Sequence, residues 1–206
     1  MSGAASAAEE ARVSGIVREV LASALREGGR TGLVIGAAPG PERALLERWC
    51  RGGPSLTTPA PETVAPVRAA LECEAAAWMA VGGVHAIRHD RLLVHPANKA
   101  MLLLGRVPLA PCYPLGDLWP CQITGWAGDA TLPPVLRGLA PEVAREVQDR
   151  LRAGLEGGGG VARALRGLDS EVVEPILAVL AGGRARARPP LIPRLTAWTL
   201  GSDPPP

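Results

Sequence analysis

The sequence predicts an α/β fold, a three-layer Rossmann-like parallel sheet flanked by helices, with a helical C-terminal extension. Residues 32–36 and 91–95 contain short apolar runs of strand length, and Ser55-Leu56-Thr57-Thr58 is expected to be a further short strand. Helical segments separate these runs, as a parallel sheet with crossover connections requires. The first run ends at Gly36 and a turn of small residues, which outlines a phosphate-binding loop before a helix N-terminus.

The helices are predicted from apolar residues at helical spacing and from N-cap signals. Asn98 and Asp117 are expected to be N-caps, because short polar side chains accept hydrogen bonds from the first helical turn. The segment PAPETVAP, residues 59–66, is expected to be a loop. Residues 157–160 are four glycines and predict a flexible hinge or a disordered loop. The predicted helices cover residues 13–27, 42–51, 67–88, 98–104, 118–128, 141–155 and 161–181.

The domain boundaries follow from changes in composition along the chain. Residues 1–12 are small and acidic and predict a disordered N-terminus, and residues 197–206 predict a disordered tail. An α/β domain is expected over residues 13–133. Residues 134–196 carry helices with polar faces and are expected to be a helical part of the same domain.

Composition argues against several function classes. The formal net charge is only +2, so nothing favours binding to nucleic acid or to a membrane surface. The sequence contains no run of 18 apolar residues, which argues against a membrane span. The four cysteines show no C-x-x-C spacing, and we expect a cytoplasmic protein with reduced thiols.

Four segments together resemble the ammonia-dependent NAD synthase family. The segment LLVHPANKAMLLLG, residues 92–105, is similar to its strand-to-helix motif, and CYPLGDLWPCQI, residues 112–123, to its later motif. The loop after residues 33–36 falls where that family has its ATP pyrophosphatase loop. Residues 171–195 resemble the closing helix and the basic, proline-containing tail.

The resemblance implies an adenine nucleotide α-hydrolase-like fold and a homodimer. It also implies ATP and Mg²⁺ as cofactors and nicotinic acid adenine dinucleotide, or another adenine nucleotide, as ligand. If active, the protein would be an ATP-dependent amide ligase. The expected nucleotide-binding residues lie in the first loop and in the strand-to-helix motif: Gly36, Gly40, Arg43, Asn98 and Lys99.

Several positions depart from the family's pattern. Of the pyrophosphatase loop Ser-Gly-Gly-x-Asp-Ser, aligned with residues 38–43, only Gly40 is retained. Met101 stands where a glutamate is expected to help hold magnesium, and Pro120 replaces a later lysine. On the central helix, Ala76 and Trp78 replace two arginines. No catalytic residue and no metal ligand is therefore predicted.

The first loop is also unsuited to phosphate on chemical grounds. Pro39 and Pro41 have no N–H group to donate, and Glu42 places a carboxylate in the first helical turn. The sequence therefore predicts a divergent protein without ATP-dependent amidation of nicotinic acid adenine dinucleotide, with a residual or repurposed nucleotide cleft. Two alternatives stay open: an active synthase or amide ligase that uses other residues, and a dimeric scaffold or regulatory pseudoenzyme that binds a protein partner.

Each remaining polar feature has a functional and a structural interpretation. Asn98 and Lys99 are either ligand contacts or an N-cap beside a solvated lysine. The spacing of His85 and His89 places two imidazoles on one helical face, either for a metal or as ordinary surface histidines. Two further pairs of interpretations concern thiols and arginines. Cys112 and Cys121 are either nucleophiles or structural thiols. The basic tail that contains Arg184, Arg186 and Arg188 either contacts an acidic partner or the site, or is solvated.

Overall fold

The computed structural model describes residues 6–105, 107–108 and 110–182. It is a mixed α/β structure with a small open parallel sheet of three strands, β1 (Leu33–Ile35), β2 (Leu56–Thr57) and β3 (Leu92–Val94), in the order β2-β1-β3. Parallel pairing confirms the strand prediction. A single further bridge joins Val94 to Cys112 in parallel, so the loop after the fifth helix extends the sheet beside β3.

Ten helices surround or follow the sheet within the described residues. No described helix has the length and apolarity needed to cross a membrane. The helices are α1 (Ala7–Glu27), α2 (Pro41–Trp49), α3 (Pro61–Leu71), α4 (Glu74–Arg88), α5 (Lys99–Leu104), α6 (Pro120–Ala127), α7 (Pro134–Arg137), α8 (Pro141–Glu156), α9 (Val161–Ala164) and α10 (Ser170–Gly182).

Helix α1 begins at Ala7, six residues before the predicted start, so the prediction of disorder over residues 6–12 is wrong. The Ser6 side chain caps the helix by accepting from the Glu9 backbone N–H at 3.1 Å. Glu10 then accepts from the indole N–H of Trp49 at 2.9 Å and pairs with Arg48. These contacts hold the first turns against α2. Residues 1–5 lie outside the described part of the chain.

Helix α3 replaces the loop predicted over residues 59–66, and the single helix predicted over 67–88 is two helices. Pro61 starts α3 at a position where a missing N–H costs nothing. The break between α3 and α4 falls at Glu72, whose φ of 51° is left-handed. Gly82 lies within α4 without interrupting the helix.

Two predictions near the C-terminal half are also corrected. Asp117 is not an N-cap, because α6 begins at Pro120 after Trp119, whose backbone N–H donates to Gln122 Oε1 at 2.9 Å. Gly157 and Gly158 form a turn after α8 and Gly160 is the N-cap of α9, so the prediction of a disordered loop is wrong, whereas the flexible hinge stays a prediction. Gly158 takes the left-handed φ of 70° in that turn. Within α8, a Cβ on Gly154 would lie 2.4 Å from the Ala164 Cβ, so α8 and α9 pack closely at this glycine.

Two hydrophobic clusters hold the architecture together. The first joins Leu33, Ile35 and Val94 of the sheet to buried residues of α1, α2 and α6. The second joins Ala100 and Trp119 to α8, α9 and α10, so the C-terminal helices share a core with α5. The predicted tail over residues 197–206 and the basic segment from 183 onward lie outside the described residues.

Candidate functional site

The carboxyl edge of the sheet holds the candidate site, because ligands of open α/β sheets bind there. The loop 36–40 follows β1, and residues 95–98 follow β3. Four charged or polar side chains near this edge are almost fully buried: Glu42, Asn98, Lys99 and Asp117. Burial of such groups is costly unless each finds a partner, so their contacts define the chemistry of the site.

Glu42 and Asn98 belong to one hydrogen-bonded network. The Glu42 carboxylate accepts from Asn98 Nδ2 at 2.9 Å, from the Thr131 backbone N–H at 2.6 Å and from the Thr131 hydroxyl at 2.8 Å. Asn98 Nδ2 also donates to the Thr131 carbonyl at 2.9 Å. The loop after α6 is thereby fixed to α2 and to the end of β3.

Asn98 is also the N-cap of α5, as predicted. Its side-chain oxygen accepts from the Met101 backbone N–H at 2.9 Å. The amide group of Asn98 therefore uses its oxygen for the helix and its nitrogen for Glu42 and Thr131. All of these partners belong to the protein, and the side chain has no exposed surface.

Lys99 forms a buried ion pair and is not the solvated lysine of the structural interpretation. Its Nζ lies 2.7 Å from Asp117 Oδ1, and both side chains are 0% exposed. The ammonium also lies 5.8 Å from the centre of the Trp119 ring, within the range of a cation–π contact. Lys99 is the only lysine of the sequence, and its charge is compensated inside the protein.

Arg43 turns back onto the first loop. Its Nη1 donates to the Ala37 carbonyl at 3.0 Å and its Nε to Glu47 at 2.8 Å. The guanidinium lies 5.3 Å from the centre of the Trp78 ring. Arg43 thus fixes the loop backbone to α2 and packs on the aromatic residue that stands where the resembled family has an arginine.

The two predicted glycines differ in their surroundings. Gly36 is buried, and a Cβ there would lie 2.7 Å from Met79 Sδ. Gly36 is therefore needed for close packing of the loop on α4. Gly40 is partly exposed, precedes α2, and a Cβ there would meet nothing within 4 Å. Of the five predicted residues, the structure brings only Gly40 to a position with open space beside it.

The histidines and thiols near the site show no sign of activation. Burial lowers the pKa of His95 to about 4, and its Nδ1 has no hydrogen-bond partner within the described part of the chain. Burial raises the pKa of Cys112 to about 12. The pKa of Cys121 is also raised, and burial is the largest cause. A thiol kept protonated in this way is a poor nucleophile.

Metal ligands do not assemble at this edge. The described residues include no group of three or more histidine, cysteine or acidic side chains placed to hold an ion. Glu42, the acid nearest the first loop, already accepts three hydrogen bonds. The rings of His85 and His89 have centres 4.4 Å apart and are tilted by 44°, and no third ligand joins them among the described residues. The residues present do not fit Mg²⁺.

Thr131 and Asp117 are the partners that sequence reasoning missed. Thr131 lies 89 residues from Glu42 in the chain, so no local pattern links them. Asp117 stands out in the sequence as an isolated acid in an apolar stretch, but that pattern predicts a helix cap and not an ion pair.

Comparison with protein-family models, with curated proteins and with solved structures finds no match.

Proposed function

We propose that the chain is a divergent, catalytically silent NAD synthase-like protein of the three-layer Rossmann-like type. In this proposal the carboxyl edge keeps the position of an ATP pyrophosphatase site and no longer binds phosphate. The observation that carries the proposal is the Glu42 carboxylate, which lies in the first turn of α2 and takes three internal donors. The cleft is residual because its polar groups serve the fold.

The electrostatics of the first turn support this proposal. A pyrophosphate group binds a helix N-terminus through backbone N–H donors and the positive end of the helix dipole. Here Pro41 removes one donor and Glu42 supplies a negative charge. Two unit charges about 4 Å apart repel by about 4 kcal/mol at an effective dielectric constant of 20. A bound polyphosphate would meet that repulsion.

The cations of the site support the same conclusion. Adenylate formation leaves pyrophosphate, whose charge must be stabilised as it departs. Lys99 is paired with Asp117 and buried, so its ammonium is not directed at a ligand. Arg43 has only 14% of its side chain exposed and holds Ala37 and Glu47. Neither cation can reach a phosphate without breaking contacts that stabilise the fold.

The direct test is an assay of pyrophosphate release. The protein is supplied with ATP, Mg²⁺, nicotinic acid adenine dinucleotide and ammonia, and pyrophosphate and NAD are measured against an assay without protein. We expect no release above that background. Release of pyrophosphate together with NAD would overturn the proposal and favour the alternative of an active ligase that uses other residues.

A further inference from the structure

Two histidines lie together at the C-terminal end of α4. His85 is in the last turn of the helix and His89 is its C-cap, and their ring centres are 4.4 Å apart. Residues four positions apart share one face of a helix. Because β3 begins at Leu92, directly after this end of α4, the pair lies near the amino ends of the strands and away from the carboxyl edge.

The spacing of the two rings suits one metal ion. Imidazole nitrogens bind zinc at about 2.0–2.1 Å, which places the centres of two imidazole rings on one ion about 4.5–5 Å apart. The observed distance of 4.4 Å, with ring planes tilted by 44°, requires little rearrangement to reach that range. His89 is exposed and His85 is partly buried, so an ion from solvent can reach the pair.

The Thr57 hydroxyl orients the His85 ring. Thr57 Oγ1 donates to the Leu33 carbonyl at 3.3 Å and lies 3.5 Å from His85 Nε2. A hydroxyl has one hydrogen to donate, so Thr57 faces Nε2 as an acceptor. The hydrogen bond made by one ring nitrogen decides which nitrogen is left for a metal. This contact places the ring hydrogen on Nε2 and leaves the lone pair of Nδ1 for an ion.

The electrostatics of the pair favour a metal ion over an anion. Burial lowers the pKa of His85, and His89 and Arg91 lower it further, which favours the neutral imidazole that binds metals. Two neutral imidazoles offer no charge to an anion. The carbonyl groups at the C-terminus of α4 favour a cation. Arg91 opposes one, although its Nη1 is directed to Ser55 Oγ at 3.2 Å.

We propose that His85 and His89 together bind one divalent ion of a late transition metal, such as Ni²⁺, Cu²⁺ or Zn²⁺. Imidazole suits these ions, whereas Mg²⁺ and Ca²⁺ require oxygen ligands. The described residues offer no third histidine, cysteine or acidic ligand, so solvent supplies the remaining ligands, as at open metal sites. The inference is independent of the proposed function, because the pair lies away from the carboxyl edge.

Calorimetric titration with Ni²⁺ tests the site in protein that carries no histidine tag. Cys73 is an exposed thiol and is replaced by serine in every sample, so that it does not compete for the metal. We expect saturable binding of one Ni²⁺ per chain. Mn²⁺ should bind more weakly, as the Irving–Williams order requires, and Mg²⁺ should not bind at the same concentrations.

Replacement of single histidines locates the ion. His85→Gln and His89→Gln should each raise the Kd for Ni²⁺ by more than about tenfold, because one ligand of a chelating pair is lost. The matched control is His95→Gln, at the third histidine of the sequence, and it should leave the Kd unchanged. Because the His89 side chain is exposed, circular dichroism of His89→Gln should match that of the unaltered chain. No saturable Ni²⁺ binding, or a Kd indifferent to His89→Gln, would overturn the metal site.

Arg91→Gln distinguishes a cation from an anion at this place. Removing a positive charge beside His85 should strengthen Ni²⁺ binding severalfold, and more so at low salt. Inorganic phosphate should show no heat of binding to the unaltered chain. Phosphate binding that is lost in both His85→Gln and Arg91→Gln, or Ni²⁺ binding that is weaker in Arg91→Gln, would contradict the proposal.

Discussion

Asn98 Nδ2 donates to Glu42 Oε1 at 2.9 Å, which joins the residue after β3 to the first turn of α2. These two positions flank the place where an open α/β sheet holds its ligand. Because Asn98 is 0% exposed and Glu42 is 6% exposed, the bond closes that place with protein groups. The contact shows that these two polar residues stabilise the fold at this edge of the sheet.

Replacing Glu42 should destabilise the protein strongly. Glu42→Ala removes the acceptor of one Asn98 Nδ2 hydrogen and of both Thr131 donors, and a buried donor left unsatisfied costs about 1–3 kcal/mol. We expect the free energy of unfolding, measured by urea denaturation, to fall by at least about 2 kcal/mol. Glu47→Ala on the same helix is the control, since the Glu47 side chain is 39% exposed and its loss should cost within about 0.5 kcal/mol. Equal losses in the two variants would contradict the network.

Breaking the buried ion pair should cost more than removing both partners. Asp117→Asn leaves the Lys99 ammonium buried without its 2.7 Å carboxylate, and loss of one partner of a buried pair costs about 3–5 kcal/mol. The double variant Lys99→Met with Asp117→Asn also removes the buried ammonium and should regain part of that loss. Urea denaturation of both variants measures the difference. A double variant less stable than Asp117→Asn would argue against the pair as described.

Gly82 should not tolerate a side chain, although it lies within a helix. A Cβ there would lie 3.0 Å from Gly36 Cα and 3.1 Å from Leu93 Cδ1. Gly82→Ala should therefore destabilise by about 1–3 kcal/mol despite its better helix propensity. Gly15→Ala on α1, where a Cβ meets nothing within 4 Å, should stabilise by up to about 1 kcal/mol. Thermal melts that moved in the same direction would refute the close approach of α4 to the loop.

His95 should make the protein less stable in mild acid. Its pKa falls from 6.5 to about 4 because the imidazole is buried, and its Nδ1 has no partner among the described residues to accept from a protonated ring. Between these values the unfolded chain binds a proton that the folded chain does not, so stability falls as pH drops from about 6.5 to 4. Each pKa unit corresponds to 1.36 kcal/mol, which makes the contribution up to about 3 kcal/mol.

The comparison of His95→Leu with the unaltered chain isolates this contribution. Denaturation is measured at several pH values from neutral down to the folded pKa. The free energy of unfolding should depend less steeply on pH in the variant, because the variant lacks the His95 contribution and keeps the other titrating groups. Parallel curves for the two proteins would show that His95 does not stay neutral in the folded state.

The strands and most helices were predictable because their signals are local. The strands predicted over residues 32–36, 55–58 and 91–95 match β1, β2 and β3 within one residue at each end. The errors arose where the deciding contact is distant in sequence. Helix α1 extends to Ala7 because Glu10 meets Trp49 and Arg48, and neither partner is visible in the N-terminal composition.

The sequence predicts the contacts of the candidate residues less well than the elements that carry them. The loop after β1 and Asn98 lie at the carboxyl edge of the parallel sheet, and the N-cap signal of Asn98 is confirmed. The roles of Glu42 and Lys99 could not be predicted, because their partners Thr131 and Asp117 come from loops whose course depends on tertiary packing. For Lys99 the sequence leaves open a ligand contact or a solvated lysine, and for Glu42 it predicts a charge in the first helical turn. Both side chains are buried against partners within the protein.

Calorimetric titration of the protein with ATP, with and without Mg²⁺, tests directly whether the carboxyl edge binds phosphate. We propose that the protein's own polar network occupies this edge and that phosphate does not bind there. We predict no heat of binding and no magnesium dependence, and the same result with inorganic pyrophosphate. Saturable binding of ATP that is lost on Asn98→Ala or Arg43→Ala, in proteins that remain folded by circular dichroism, would contradict the account.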